Sequence, residues 1–424
     1  MRILVLGINY WPEETGIGYF NTRRCEFLAA RGHEVTICTS FPYYPQWRTA
    51  DGYRGRVRMR EMRNGVEILR SWMWVPGRVS SAKRVLHEAT FVASSFVRSL
   101  SAKKPDLLVL ISPPLGLAMT GLLLGRYWKV PYIFHVEDLQ PDAAADLGML
   151  PKPALTLLYA VEKMVYKYAA LVSTLTGGMR DRILSKGVPK DKVAIFSHDA
   201  DQALFRLRDE RDGSQFRREF GLENKFLVIH SGNMGVKQGL EVVLEAASRT
   251  RSRSDIVYLL VGDGAMRDSL KEQTAKSQLN NVRVLPVQPR HMFRDMLVAT
   301  DVALVTQQKS VSDIVFPSKV VTLLASGCPV VASVTSGSQV ARAVSESGGG
   351  LTVPAEDAEA LADAIVKLRD EPGTLAAMSA SARKYAAEHW AGDHIMGHME
   401  REFIRVAQHR PSSMRPSADT SAGG

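Results

Sequence analysis

Cysteine is scarce in this chain of 424 residues, and its scarcity argues against two classes of protein. The three cysteines, Cys25, Cys38 and Cys328, lack the paired spacing of a zinc site, and their odd number argues against a disulfide framework. The first residues, MRILVLGINY, contain too short an apolar run for a signal peptide and are typical of a first β-strand. We therefore expect a protein of the reducing cytoplasm.

Long hydrophobic runs are also rare. Leu107 to Gly125 carries no charge and is long enough to suggest a membrane span. Pro113 and Pro114 divide it, however, into a β-rich half and a helical half. The pattern predicts a strand, a turn and a buried helix in place of a transmembrane helix.

Acidic residues are few in the first half of the chain. Residues 1–204 contain 27 Lys+Arg and 18 Asp+Glu, a balance of 27 − 18 = +9, whereas residues 205–424 contain 27 and 26, a balance of +1. Much of the excess lies in one short stretch, in which Glu61 and Glu67 are the only acidic residues. Its nine basic residues are Arg54, Arg56, Arg58, Arg60, Arg63, Arg70, Arg78, Lys83 and Arg84.

The segment 54–100 combines these cations with two tryptophans and a mixed apolar helix. Trp72 and Trp74 beside basic residues are typical of a membrane-surface contact, which is the interpretation that we favour. Nucleic acid is a rival partner for a basic patch, but no recognition motif accompanies this one, and we expect no nucleic-acid binding. A merely solvated face is the third alternative.

Strand and helix patterns alternate through the chain in two series, with a hydrophobic content of 45%. A polar stretch at 199–215, DADQALFRLRDERDGSQ, separates the series. The fold class is therefore predicted as α/β, with two Rossmann-like doubly wound domains facing each other across a cleft. We place the first domain at 1–204 with a returning helix at about 385–408, the second at 205–384, and a disordered tail at 409–424.

Two glycine-containing loops follow predicted strands and open onto helices. The first contains Gly16 and Gly18, and the second contains Gly232, Asn233 and Lys237. Glycine lets backbone N–H groups approach an oxyanion, and a helix N-terminus favours negative charge. A nicotinamide-binding fingerprint needs a third glycine in a shorter loop, so an NAD(P)-dependent oxidoreductase is the less favoured alternative.

The stretch 312–331, SDIVFPSKVVTLLASGCPVV, gives the most specific signal. It brings Asp313, Ser318 and Lys319 to the start of a short helix that runs into a buried strand. An acid, a hydroxyl and an ammonium at a helix N-terminus suit a sugar nucleotide, whose diphosphate leaves as an anion. The alternative is that the Pro-Ser-Lys sequence only starts a helix.

The strand PYIFHVED ends in His135 and Asp138, our candidates for orienting the sugar or the attacking hydroxyl. Strand alternation places His135 and Glu137 on one face, and each residue alone has a structural alternative as a hydrogen-bonding group. Asp199 and Asp201 form a DxD sequence, but it falls in the expected linker, and we expect no metal site there or elsewhere.

Together these segments resemble the family 4 glycosyltransferases over about residues 1–400. The resemblance is carried by GINYWPEETGIG, ARGHEVTICTSFPYYPQW, HVEDLQPD followed by LGML, SGNMGVKQGLE, VGDGAMR and FPSKVVTLLASGCPVVAS. It is strongest to the subgroup of colanic acid fucosyltransferases and O-antigen aminosugar transferases. The resemblance implies a GT-B fold and retaining sugar transfer from a nucleotide-diphosphate-sugar, with no metal and no cofactor.

The resemblance also implies partners and roles. The acceptor would be a polyprenyl-diphosphate-linked glycan, and the enzyme would work peripherally at the inner face of the plasma membrane. Gly16 and Gly18 match the loop near the donor phosphates and acceptor, and Lys319 matches a diphosphate-contacting position. His135 and Asp138 match the strand end beside the reacting sugar. The remaining expected substrate-binding residues are Gly232, Asn233, Lys237, Gly264, Asp313 and Ser318.

The chain departs from the family pattern at donor-binding positions. The paired glutamates of the family fall here on Ile314 and Thr322, and the basic residues of the second glycine loop are replaced by Asn233 and Gln238. Two further functions therefore remain open: a GT-B epimerase acting on a free nucleotide-sugar, and a non-catalytic partner subunit that keeps the fold.

Overall fold

The computed structural model describes residues 1–14, 16–77, 80–146, 150–310 and 318–408, without the side chains of Ser81, Asp146 and Ser318. The chain forms two compact units. The first combines Met1–Ser197 with the residues from Ile395 onward, and the second is His198–His394.

The first unit is built on an eight-stranded sheet with the order β3-β4-β2-β1-β5-β6-β7-β8. Its neighbouring strands are parallel except for the antiparallel pair β3–β4. The strands are β1 Arg2–Leu6, β2 Glu34–Ser40, β3 Arg58–Arg63, β4 Val66–Ser71, β5 Leu107–Ser112, β6 Tyr132–Val136, β7 Leu171–Thr174 and β8 Val193–Ile195. The helices are α1 Ile17–Ala30, α2 Ser81–Ser99, α3 Leu117–Trp128, α4 Gln140–Asp146, α5 Lys152–Tyr168 and α6 Gly177–Ser185.

The uncharged run from Leu107 to Gly125 forms strand β5 and most of helix α3, which confirms the predicted strand, turn and helix. All six residues of β5 are buried, as expected of a parallel strand covered by helices on both faces. Within the described ranges, no helix is both long and apolar enough to cross a bilayer.

The second unit is built on a six-stranded, wholly parallel sheet with the order β11-β10-β9-β12-β13-β14. The strands are β9 Phe226–Asn233, β10 Ile256–Asp263, β11 Val282–Leu285, β12 Val302–Thr306, β13 Val330–Val334 and β14 Gly350–Pro354. The helices are α7 Gln202–Phe205, α8 Leu207–Glu210, α9 Ser214–Phe220, α10 Glu241–Arg249, α11 Arg267–Lys276, α12 Arg290–Ala299, α13 Ser318–Ala325, α14 Gln339–Ser347, α15 Ala358–Asp370 and α16 Pro372–Trp390. The last helix, α17 Gly392–Gln408, belongs to the first unit from Ile395 onward. Counted along the chain, the strand order is 3-2-1-4-5-6, the order of a Rossmann sheet.

Two segments differ from the expectation. The polar stretch after residue 198 is not a loose link, because Leu204 and Leu207 are buried in a core cluster with residues of α13. The second unit thus begins at His198, where we expected residue 205. The expected returning helix is interrupted: α16 ends at Trp390, and Ala391 has an extended conformation before α17 begins. From α17, Met396, Met399, Phe403 and Val406 join the core of the first unit.

Candidate active site

The strand order of each sheet reverses at one point, and the loops at that point are the expected ligand site. In the second unit the reversal lies between β9 and β12, and in the first unit between β1 and β5. Ligands of open parallel sheets bind beyond the carboxyl ends of the strands at this position. In the second unit the two loops contact each other, because the Gln308 N–H donates a hydrogen bond of 3.0 Å to the Lys237 carbonyl.

Lys319 places a shielded positive charge at this edge. It is the second residue of α13, and its stem is half-buried, whereas its Nζ is buried and has no hydrogen-bond partner in the described part of the chain. Burial lowers the pKa of Lys319 from 10.5 to about 8. A buried, unpartnered ammonium is unfavourable by itself, so its presence indicates a site for an anion.

Two more polar side chains, on strands β9 and β12 at this edge, are buried without an ordinary hydrogen bond to a described residue. Both ring nitrogens of His230 on β9 and the Oγ1 of Thr306 on β12 are buried without a hydrogen bond of ordinary geometry among the described residues. Burial lowers the pKa of His230 well below its usual value, and the Lys319 ammonium lowers this pKa further. The interaction with the Asn233 backbone acts in the opposite direction and raises the pKa. His230 is therefore neutral at pH 7, and Lys319 is the cation of the pair.

Two glycines of the second unit, Gly232 and Gly264, are explained by different features of their surroundings. Gly232, at the end of β9, has a φ of 131°, and a Cβ there would meet no atom within 4 Å, so one side of its backbone is open. Gly264 has a φ of 149°, and its Cβ would lie 2.6 Å from the Met234 carbonyl oxygen. Gly264 thus lets the chain after β10 pack closely against the chain after β9, and its contact with a substrate stays a prediction.

The other expected donor-binding residues lie near this edge or outside the described residues. Asn233 is exposed at the end of β9, and Lys237 is half-buried in the short 3₁₀ turn Val236–Gln238. The Gln238 side chain accepts a hydrogen bond of 3.1 Å from the Gly235 N–H and so closes its own loop. Asp313, Ile314 and the side chain of Ser318 lie outside the described residues.

In the first unit, the loop after β1 is organised by Glu13, a residue that the sequence analysis did not single out. One carboxylate oxygen of Glu13 accepts hydrogen bonds from the Tyr43 and Tyr44 N–H groups at 2.8 and 2.7 Å, and the other accepts one from Asn9 at 2.8 Å. Burial raises the pKa of Glu13, and these three donors oppose the rise. The carboxylate thereby ties the loop after β1 to the loop after β2.

The two predicted glycines of this loop contribute to its shape. Gly16 has a φ of 61° where α1 begins, and a Cβ on Gly18 would lie 3.1 Å from Glu13 atoms. The left-handed conformation at Gly16 and the close approach at Gly18 explain both glycines sterically. Their predicted contact with donor or acceptor stays a prediction.

His135 lies in a buried polar network at the end of β6. Its Nδ1 is 2.9 Å from the Ser173 hydroxyl and its Nε2 is 3.1 Å from Glu137, which also accepts a bond of 2.5 Å from Arg24. Burial lowers the pKa of His135, and the Arg24 guanidinium lowers this pKa further, whereas Glu137 raises it. Because both of its ring nitrogens are hydrogen-bonded, His135 stabilises the conformation of the end of β6. Asp138, just beyond the end of β6, is half-buried and therefore more accessible than His135.

The basic segment is neutralised far more than the sequence indicates. Arg70 is fully buried and donates to Glu61 and to the carbonyl oxygens of Ser40 and Trp11, so it cannot face a membrane. Ion pairs hold four other arginines of the segment: Arg54 with Asp51, Arg60 with Glu67, Arg63 with Glu26, and Arg84 with Glu88. Arg78 lies outside the described residues. The expectation of one continuous basic face is therefore wrong for Arg70.

Metal binding is not required by any geometry that we observe. The described residues include no group of three His, Cys, Asp or Glu side chains that could hold an ion. In the DxD sequence, Asp201 caps α7 and lies 3.5 Å from Arg290. Metal independence of the reaction stays a prediction.

Comparison with known proteins shows the family of this chain. Residues 15–198 match the glycosyl transferase 4-like domain, and residues 212–385 match the glycosyl transferases group 1 domain. WcaI of Escherichia coli strain K12, a glycosyl transferase named for colanic acid biosynthesis, is 34% identical over 334 residues, which cover 77% of this chain and 82% of that protein. This chain belongs to the family 4 glycosyltransferases. The family resemblance seen in its motifs is confirmed.

Solved structures show the fold of this glycosyltransferase. Sucrose-phosphate synthase from Thermosynechococcus elongatus superimposes with a TM-score of 0.76 at 17% identity, covering 96% of this chain and 98% of that one. Anabaena HepE, solved in complex with UDP, gives a TM-score of 0.71 at 16% identity, covering 96% and 100%. The lipopolysaccharide glycosyltransferase WaaG gives 0.67 at 16% identity, covering 95% and 99%. The predicted GT-B fold with two Rossmann-like domains is confirmed.

Sequence reasoning missed several residues of this glycosyltransferase. His230 and Thr306 lie inside strands whose apolar neighbours dominate the pattern, and Arg24 lies on a helix far from Glu137 in the chain. For His230 a signal did exist, since a histidine within FLVIH is unusual in a buried strand. No local signal pairs Arg24 with Glu137, because 113 residues separate them.

Proposed function

We propose that this protein is a retaining glycosyltransferase that transfers a sugar from a nucleotide-diphosphate-sugar to a polyprenyl-diphosphate-linked glycan in exopolysaccharide or O-antigen biosynthesis. The observation that carries the proposal is the ammonium of Lys319, which is buried without a hydrogen-bond partner among the described residues, at the point where the strand order of the second sheet reverses. A leaving diphosphate supplies an anion that can pair with this ammonium. The names of WcaI and WaaG, and the UDP bound to HepE, support the same class of reaction.

The chemistry follows from where charge develops. As the bond between the sugar C1 and the phosphate oxygen breaks, negative charge grows on the diphosphate. Lys319 and Lys237, together with the N-terminus of α13, stabilise that charge, and such preorganised groups are typically the largest contributors to rate. The acceptor hydroxyl forms the new bond to C1 from the same face, and its proton leaves with the diphosphate. Asp138 orients the hydroxyl or the sugar, and His135 holds the strand end beside it.

A donor screen tests the proposal directly. We expect one of the UDP-, GDP- or dTDP-sugars to raise the melting temperature, because a ligand at 100 times its Kd stabilises by about 2.7 kcal/mol. The sugar of the stabilising donor should then be transferred to lipid-linked glycan, with retention at C1 by NMR. Product formed without any acceptor would identify an epimerase instead. If no nucleotide-sugar shifts the melting temperature, the protein is a non-catalytic subunit and the proposal fails.

The affinity for UDP should depend on pH through Lys319. In the free protein the pKa of Lys319 is about 8, so the ammonium form that binds a diphosphate predominates at pH 7 and disappears as the pH rises above 8. A bound diphosphate raises this pKa, and the Kd should therefore increase by about tenfold per pH unit above 8. Calorimetry between pH 7 and 9.5 measures the slope.

The matched control for this pH dependence is Lys319→Arg, whose guanidinium stays charged over the whole range. We expect a flat Kd for this variant, at whatever affinity it retains. A flat profile in the unmodified protein, or an equal slope in Lys319→Arg, would show that another group controls the binding.

A further inference from the structure

Exposed apolar side chains are concentrated on the first unit. The described residues include thirteen large hydrophobic side chains that are exposed, and of these only Val236 and Val287 belong to the second unit. Eight of the others lie on α2, α3 and α5 or at their ends: Val85, Leu86, Val97, Leu100, Leu123, Tyr127, Leu157 and Tyr168. Single exposed apolar residues are ordinary, but this number on three helices of one unit indicates a surface with a function.

The three helices lie next to one another. Each follows a strand and precedes a parallel strand further along the same direction of the sheet, and right-handed crossovers place all three on one face. Helix α3 contacts both α2 and α5, so it is the middle helix. We call the outer surface of α2, α3 and α5 the three-helix face.

Helix α2 exposes a row of apolar side chains and buries several polar ones, which is unusual for a surface helix. Its exposed ridge is apolar and follows helical spacing: Ala82, Leu86, Ala89, Ala93, Val97 and Leu100. Its buried side carries His87, Phe91, Ser95 and Ser99, and the two serine hydroxyls bond to backbone carbonyls of α2 itself. A water-facing helix normally has the opposite arrangement, so the outer ridge is suited to a non-aqueous contact.

The charge of the three-helix face has one sign. Its exposed cations are Lys83, Arg84, Arg126, Lys129, Lys152, Lys163 and Lys167. The three helices contain only two acids: Glu88 pairs with Arg84, and Glu162 is buried and bonded to Lys186. The Arg126 guanidinium lies 5.2 Å, and the Lys167 ammonium 5.5 Å, from the centroid of the exposed Tyr168 ring.

We propose that the three-helix face docks on an anionic lipid bilayer. The apolar ridge of α2 and the side chains of Leu123 and Leu157 enter the interface, tyrosines occupy the headgroup level, and the lysines meet lipid phosphates. Lysine is depleted in the cores of protein–protein interfaces, whereas five of the seven cations here are lysines, which favours lipid over a protein partner. The docking rests on the proposed function, in which the acceptor is carried by a membrane lipid.

This surface differs from the expected one. The sequence pointed to segment 54–100, with its arginines as the basic element, but several of those arginines are paired and Arg70 is buried. The three-helix face shares α2 with that segment and adds α3 and α5, which follow it in the chain. The two surfaces therefore predict different effects of mutation.

Co-sedimentation of the full chain with vesicles tests the docking. With vesicles of 70% phosphatidylcholine and 30% phosphatidylglycerol in 0.1 M NaCl, we expect binding that falls at least tenfold without phosphatidylglycerol or in 0.5 M NaCl. The double variant Lys163→Gln/Lys167→Gln should lose about 25-fold in partition coefficient, about fivefold for each lysine near the surface. For Leu123→Ser/Tyr127→Ser the partition coefficient should fall at least tenfold. Its salt dependence should change less than in the lysine variant, because no charge is removed.

Matched variants on other surfaces make the test specific. Lys271→Gln/Lys276→Gln on α11 and Val287→Ser in the second unit remove the same kinds of exposed side chain and should leave the partition unchanged. Arg58→Gln/Arg60→Gln on β3 tests the originally expected arginines. Loss of binding in this variant, with none in the α3 and α5 variants, would overturn the three-helix face. Self-association that disappears in the α3 variant, without vesicle binding, would identify a protein interface instead.

The outcome is separable from that of the proposed function, because none of the α3 or α5 variants touches the donor site. UDP affinity, measured on each variant in solution, should stay within about twofold of the unmodified protein. If the protein bound vesicles but no nucleotide-sugar, the proposed docking would stand and the proposed transferase function would fail. If it bound a nucleotide-sugar but no vesicles, the proposed transferase function would stand and the proposed docking would fail.

Discussion

Replacement of Lys319 by methionine is expected to lower the rate of sugar transfer by about 10²-fold while making the empty protein more stable at pH 7. The loss of rate follows if the ammonium stabilises the leaving diphosphate, since removal of one such charge-stabilising donor typically costs 10²–10³ in kcat. The gain in stability follows from the same burial: the ammonium is shielded and has no partner among the described residues, and methionine fills a similar volume without a charge.

The size and pH dependence of the gain come from the pKa of Lys319. Burial lowers it from 10.5 to about 8, which corresponds to about 3 kcal/mol against the charged folded state. Because the folded pKa lies below the unfolded one, this cost is complete below pH 8 and is relieved as the pH rises from 8 to 10.5. We therefore expect the melting temperature of Lys319→Met to exceed that of the unmodified protein by about 5–10 °C at pH 7, and by less at pH 9.

The control for this experiment is Lys271→Met, at an exposed position of α11 in the same unit. It should change neither the rate nor the melting temperature appreciably. Scanning calorimetry and a transfer assay measure both effects on the same preparations. An unchanged rate in Lys319→Met would remove the leaving-group role, and a lower melting temperature would show that the ammonium has a partner in the folded protein.

Replacement of Arg24 by methionine is expected to destabilise the first unit by about 3–5 kcal/mol. Arg24 and Glu137 are both buried, with 2.5 Å between Nη1 and Oε1, and the same carboxylate oxygen bonds to His135. Removal of one partner of a buried ion pair leaves the other charge without its counter-ion in a poorly solvating site. Guanidinium unfolding of the variant measures the loss.

Two further variants make this prediction specific. Arg24→Met/Glu137→Leu should recover most of the lost stability, because replacement of a whole buried ion pair by apolar groups is often neutral. Arg31→Met, at the end of the same helix, removes the exposed partner of Glu400 and should cost about 1 kcal/mol or less. Equal costs for Arg24→Met and Arg31→Met would mean that the network at the end of β6 contributes little to the unit.

Most strands of both sheets could be predicted from the sequence because their signal is local, but β4 and β14 were not among the predicted strands. LLVLIS and the strands around FLVIH are runs of β-branched and aliphatic residues bounded by turn residues, and such runs fit a sheet buried on both faces. The break at Ala391 was missed, although Gly392 and Asp393 are a local signal for a helix boundary. The residues on its two sides belong to different units, which the sequence does not show.

The position of Lys319 at a helix N-terminus, and of the glycine loops after strands, was determined by the sequence alone, because each depends on residues that are neighbours in the chain. Only the tertiary structure decided that the Lys319 ammonium is shielded, that the side chains of His230 and Thr306 are buried without a hydrogen bond of ordinary geometry among the described residues, and that Arg70 is buried. Burial and partnership depend on atoms that are distant in the chain and brought close by folding. The same number of charges can therefore form an exposed basic face or a neutralised core, and composition does not distinguish them.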